Sequence, residues 1–137
     1  MKKTITILCC LFVMSCSWPK DPEDTFEQAR HKGLRVGVVS TPQDRASIDR
    51  EKAMLVAFAK ANTMQLTFVE DSETHLIELL KQYELAIVCG GFTKNTLWKE
   101  EAGLTRPYDK EHVLLIPKGE NKLAVALEAF MQKHTAQ

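Results

Sequence analysis

The chain has 137 residues, room for one domain of common size and not two. Hydrophobic residues at 45% and charged residues at 26% give the mix of a folded globular protein, which excludes a disordered one. Basic and acidic residues both number 18, and a net charge of +0 argues against a nucleic-acid binder and against a polybasic membrane-surface protein.

The first segment reads as an address. Lys2 and Lys3 precede residues 4–15, an uncharged, mostly apolar stretch. At about 12 residues it is shorter than the ~20 a spanning helix needs, so residues 1–15 are expected to be a secretory signal peptide. Val13-Met14-Ser15-Cys16 resembles the bacterial lipobox. That resemblance implies cleavage before Cys16, lipid on the Cys16 sulfur, and a place on the periplasmic face of a bacterial cell envelope. The alternative is ordinary cleavage nearby, with Cys16 a passive thiol. A chain beginning at Cys16 carries 16 basic and 18 acidic residues, a net of −2. Cys9 and Cys10 leave with the signal, Cys16 is consumed by lipid, and Cys89 has no partner for an intramolecular disulfide.

Residues 16–32 hold two prolines and little periodic apolar content, and read as the lipidated cysteine and a tether, with a possible helical turn near residues 25–30. A regular pattern runs over residues 33–134, with 135–137 left as a tail. Residues 34–39 form a β-rich run. Residues 40–44 are turn chemistry, and Ser47 or Asp49 caps a helix to about Asn62 with Met54, Leu55, Phe58 and Ala61 on one face. Residues 65–69 form a strand. Residues 72–81 form a helix with Leu76, Ile77, Leu79 and Leu80 inward. The apolar run 85–89 suits a buried parallel strand, ended by Gly90-Gly91. A short helix over 94–101, a strand over 112–117 and a helix capped by Asn121, with Leu123, Leu127, Phe130 and Met131 inward, complete the chain. Alternating strands and helices predict an α/β fold of three layers, α/β/α, with a mostly parallel sheet. Ligands on such sheets bind beyond the carboxyl ends of the strands, here residues 40–47, 70–71 and 90–95.

Two segments there can carry binding. Gly90, Gly91, Phe92 and Thr93 follow the buried strand, where glycines let backbone N–H groups approach a ligand; the same residues also make a plain strand-exit turn. Arg106 and Tyr108 flank Pro107 in a segment that faces a cleft or merely connects. Catalysis is not expected. Cys89 lies inside an apolar run, where a thiol behaves as a small hydrophobe, and no acid/base pair is apparent. His31, His75, His112 and His134 lack ligand spacing, so neither metal nor cofactor is expected.

Several stretches together resemble the type 2 periplasmic binding fold, in particular the family 3 extracellular solute-binding proteins that serve polar amino-acid importers. These are Gly33-Leu34-Arg35-Val36-Gly37-Val38, Glu51 with Ala57-Phe58-Ala59-Lys60-Ala61, Leu66-Thr67-Phe68-Val69-Glu70 and Leu76-Ile77-Glu78-Leu79-Leu80. Gly90-Gly91-Phe92-Thr93 followed by Thr105-Arg106-Pro107-Tyr108 is similar to the family's signature. The resemblance implies a non-enzyme and one lobe of a two-lobe fold. Residues 113–121 run straight into the closing helix, where the family inserts its second lobe.

The position of the family's carboxylate-gripping arginine falls at Trp98. Gly103 and Ala86 stand where the family has acids, and the aromatic expected near Pro42 is absent. Trp98 beside Phe92 and Tyr108 then suggests an aromatic patch at the former cleft. The first expectation is binding of a small polar solute for transport or sensing. An importer permease, a second copy or another envelope protein would supply the missing wall. The alternatives are an envelope interaction module using the exposed lobe face, and an accessory role in cell-wall metabolism.

Overall fold

The computed structural model describes residues 21–42 and 44–135. The signal segment and Cys16 lie outside the described residues. Among the described residues four helices, α1 (Thr25–Lys32), α2 (Arg45–Ala61), α3 (Glu73–Lys81) and α4 (Asn121–Thr135), surround five strands: β1 (Leu34–Val39), β2 (Leu66–Asp71), β3 (Ile87–Cys89), β4 (Gly103–Leu104) and β5 (Leu115–Ile116). The sheet order is β2-β1-β3-β5-β4. The first three strands are parallel, with Leu34 opposite Leu66 and Val36 opposite Ile87. The α/β fold with a mostly parallel sheet is therefore as the sequence predicts.

Burial follows from the pattern of apolar residues. Val36 to Val39 and Ile87 to Cys89 are buried without alternation, so both sheet faces are covered there. On edge strand β2 no residue is fully buried. The largest fully buried side chains include Phe58, Leu55, Leu76, Leu80, Leu114, Leu115, Leu123 and Leu127. Phe130 is only half-buried and meets the Phe58 ring edge-on at 5.5 Å between centroids.

The structure departs from the sequence reading in four places. The last strand is shorter than residues 112–117 and antiparallel to β3. It is joined by β4, which no period of two residues could announce. The helix over 94–101 contracts to a 3-10 turn, Leu97–Glu100. On α2 the cap is Asp44 rather than Ser47 or Asp49, its side chain accepting from the Ser47 N–H at 3.1 Å. Ala61 is exposed, whereas Glu51 is fully buried.

The fourth departure is the tether. From Asp21 on, that segment belongs to the domain, because α1 packs against α4 and β1. Only Thr25 and Ala29 of α1 are buried, which leaves little apolar period to read. What holds it is a carboxylate far along the chain. Glu120, 1% exposed, accepts from the Glu23 N–H at 2.9 Å and the Thr25 N–H at 3.0 Å. It supplies the cap that Asp24 does not, and a charged acceptor on buried N–H donors contributes about 1.5–3 kcal/mol. Lys122 strengthens the clasp, its N–H donating to Asp21 and its ammonium to Glu27 at 2.7 Å.

Candidate functional site

The carboxyl ends of β1 and β3 open into a cleft of about 430 Å³. Thr41 and Pro42 after β1, the Gly90-Gly91-Phe92-Thr93 turn after β3, and Thr96 and His112 line it. Two helix starts also reach it, through Asp44 at α2 and Glu73 at α3. The residues 90–93 expected at a site are thus together on one wall.

Backbone geometry explains why two glycines stand there. Gly91 has φ 64°, a left-handed conformation that costs any residue with a Cβ. At Gly90 a Cβ would come within 2.5 Å of the Phe92 ring and 2.8 Å of Val39 Cγ2. Phe92 borders the cleft but is 8% exposed and packs with the core, so it offers the cleft little surface and no platform.

Below the turn sits a residue that the sequence marks only as a family match. Glu51 is buried on α2; its Oε2 accepts from the Gly91 N–H at 3.2 Å and its Oε1 from the Tyr108 hydroxyl at 2.7 Å. Burial raises its carboxyl from the ordinary 4.5 to about 7, against the opposing pull of Tyr108, the glycine N–H groups and the His112 charge. Tyr108 is shifted upward by the same burial and by the Glu51 charge. Its ring stacks on His112 at 6.0 Å, and the Arg50 guanidinium lies 5.2 Å from its centroid.

Arg50 and His112 converge on Asp109, at 3.0 and 2.7 Å. Desolvation opposes the Asp109 charge, but N–H groups of His112 and Glu111 and the His112 ring hold its carboxyl down at about 2. His112 Nε2 is 3.8 Å from Asp44. A continuous polar chain therefore ties α2 and the 105–112 segment to the glycine turn. A Glu buried among helical apolar positions, with a Tyr after the Pro, is the signal that would have found it.

The remaining expected residues divide. Tyr108 is 6% exposed and supports the turn from beneath, so it does not present its ring to the cleft. Arg106 lines a separate groove with Pro107 and Glu128; its N–H donates to Glu128, and its side chain is 78% exposed. Trp98 is half-buried against the core, and its indole N–H donates to Glu73. The expected aromatic patch is absent among the described residues, because Phe92 and Tyr108 both turn inward. Cys89 is fully buried, and burial pushes its thiol well up. No group of three or more potential metal ligands occurs among the described residues.

No family model and no curated protein matches the sequence. Solved structures do. The arginine-bound form of domain 1 from TmArgBP, as a single-substitution mutant, superposes with a TM-score of 0.70 at 14% identity, over 82% of this chain and 99% of that one. The unmutated arginine-bound domain 1 matches with a TM-score of 0.61 at 14% identity, over 73% and 91%. The fold is that of one lobe of a solute-binding protein. Within that lobe the glycine turn, the α2 start and the α3 start face the same opening at the carboxyl ends of the parallel strands.

Proposed function

We propose that the chain is a non-enzymatic, solute-binding-like lipoprotein of a bacterial envelope that takes a small polar solute, an amino acid or its like, at residues 90–93. The observation that carries this reading is the open cleft at the strand ends, whose glycine turn is pinned from beneath by Glu51. A turn fixed before binding loses little further freedom when a ligand arrives, which favours affinity. The described residues supply one wall, and a good site buries most of its ligand. A second copy, an importer permease or another envelope protein closes the other side. The family 3 resemblance of residues 33–134 and the lipobox-like stretch ending at Cys16 support the transport and anchoring parts of the reading.

A thermal-unfolding screen of the full chain against amino acids, amines and small sugars tests the binding. A solute at 100 times its Kd adds about 2.7 kcal/mol of stability, which in a domain near this size raises Tm by about 10 °C. A flat screen refutes solute binding by the chain alone. Anchoring is tested by Cys16→Ser in a bacterial host. The variant is expected to leave the membrane fraction and lose labelling by a fatty-acid probe, and retention in the membrane with labelling intact would refute the anchor.

A further inference from the structure

The charges around the cleft point to one class of solute. Among the described residues two carboxylates line it, Asp44 and Glu73, and no Lys or Arg does. Its His112 ring is already paired with Asp109 at 2.7 Å and near Asp44 at 3.8 Å. Helix starts at such a cleft would ordinarily favour an anion, through free N–H groups and the helix dipole. Here resident carboxylates take one N–H at each helix start and one in the turn.

Asp44 accepts from the Ser47 N–H and hydroxyl at the α2 start. Asp71 accepts from the Ser72 N–H at 2.6 Å at the α3 start, where the His75 N–H is also taken by the Ser72 hydroxyl. Glu51 accepts from the Gly91 N–H in the turn. An incoming carboxylate would find these donors occupied and two negative side chains facing it. Glu73 is also held in place, because the Trp98 indole N–H donates to its Oε1.

We propose that the cleft selects a small organic cation, an alkylammonium or guanidinium group, and gains nothing from a carboxylate on the same molecule. The inference rests on the solute-binding reading above and names the ligand class of that site. Asp44 and Glu73 meet the cation with charge-assisted hydrogen bonds, and the hydroxyl-bearing residues Thr41, Thr93 and Thr96 line the space between.

Three probes separate the possibilities: arginine, its decarboxylated counterpart agmatine, and glutamate, each titrated calorimetrically into the full chain. Agmatine is expected to bind roughly fivefold or more tightly than arginine, because like charge across an interface is repulsive. Glutamate is expected to give no signal. Raising salt from 50 to 500 mM should weaken agmatine severalfold, as screening of an exposed charge pair requires.

Glu73→Gln keeps an acceptor for Trp98 and removes the charge. It is expected to weaken agmatine about tenfold with the urea midpoint unchanged. Trp98 emission in a Trp18→Phe background gives a second readout, since its indole touches Glu73. Arginine or glutamate binding more tightly than agmatine overturns the cation proposal while leaving solute binding intact. Unaltered agmatine affinity in Glu73→Gln overturns it as well. Silence from all three probes overturns it too, and silence across the wider solute screen removes the solute binding by the chain alone on which it rests.

Discussion

Replacing Glu51 with Gln is expected to abolish a loss of stability that the native chain suffers as pH rises from about 4.5 to about 7. The sign follows from the direction of the shift. Burial raises the folded-state carboxyl from 4.5 to about 7. Below 4.5 both folded and unfolded chains carry the proton. Between the two values the folded chain retains it and the unfolded chain releases it, so unfolding gains on the folded state as pH rises. Above 7 the penalty is complete, roughly 3 kcal/mol for a shift of that size. Asp109, Asp44 and Asp71 are held below their ordinary values and act in the opposite sense, losing stability only under more acid conditions.

Urea unfolding of the full chain between pH 4.5 and 8 measures this. Native protein should lose stability across the window, and Glu51→Gln should be flat there. Glu51→Ala behaves differently. It leaves the Tyr108 hydroxyl and the Gly91 N–H without their acceptor, at about 1–3 kcal/mol for each buried group. That variant should be destabilised most at low pH, where the native chain carries no charge penalty, should lack the native slope, and should lose solute binding with the turn it releases. A native profile without slope, or a Glu51→Gln profile that keeps it, would contradict the assignment of Glu51 as the buried titrating group.

The same residue shows how much of the site the sequence disclosed. The parallel strands were legible because Val36, Val38, Ile87 and Val88 form continuous apolar runs, and a run without alternation requires cover on both faces. The glycine turn was legible because two glycines after such a run are needed for backbone reasons. Glu51 was not, since its role depends on Tyr108 and Gly91, which are 57 and 40 residues away along the chain. Glu120 was hidden for the same reason: it caps a helix 95 residues upstream. Local patterns report apolar faces and turns. They carry no record of which buried carboxylate meets which distant N–H. The aromatic patch failed on this point too. Phe92 and Tyr108 are near Trp98 in sequence terms, but core packing claims both rings.

Gly90→Ala is expected to be the most damaging small substitution at the cleft. The added methyl would stand 2.5 and 2.7 Å from two Phe92 ring carbons and 2.8 Å from Val39 Cγ2. Neither neighbour is the free end of a flexible chain. Phe92 is wedged at 8% exposure, and Val39 closes β1 at 5%. Relief requires moving the ring or the turn, and overpacking of this kind costs about 1–3 kcal/mol. Since the turn forms a wall of the cleft, solute affinity should fall together with stability. Gly91→Ala provides the contrast. Its Cβ would have room, with nothing nearer than 3.5 Å, so its cost is that of the positive φ alone, about 1–2 kcal/mol. Phe92→Leu in the Gly90→Ala background should recover part of the stability, because the two positions collide and a double-mutant cycle reads such coupling directly. The same Phe92 change should not rescue Gly91→Ala. Additive free energies in the Gly90–Phe92 cycle would show that the ring is not what requires glycine at this turn, and would remove the steric account of the cleft wall.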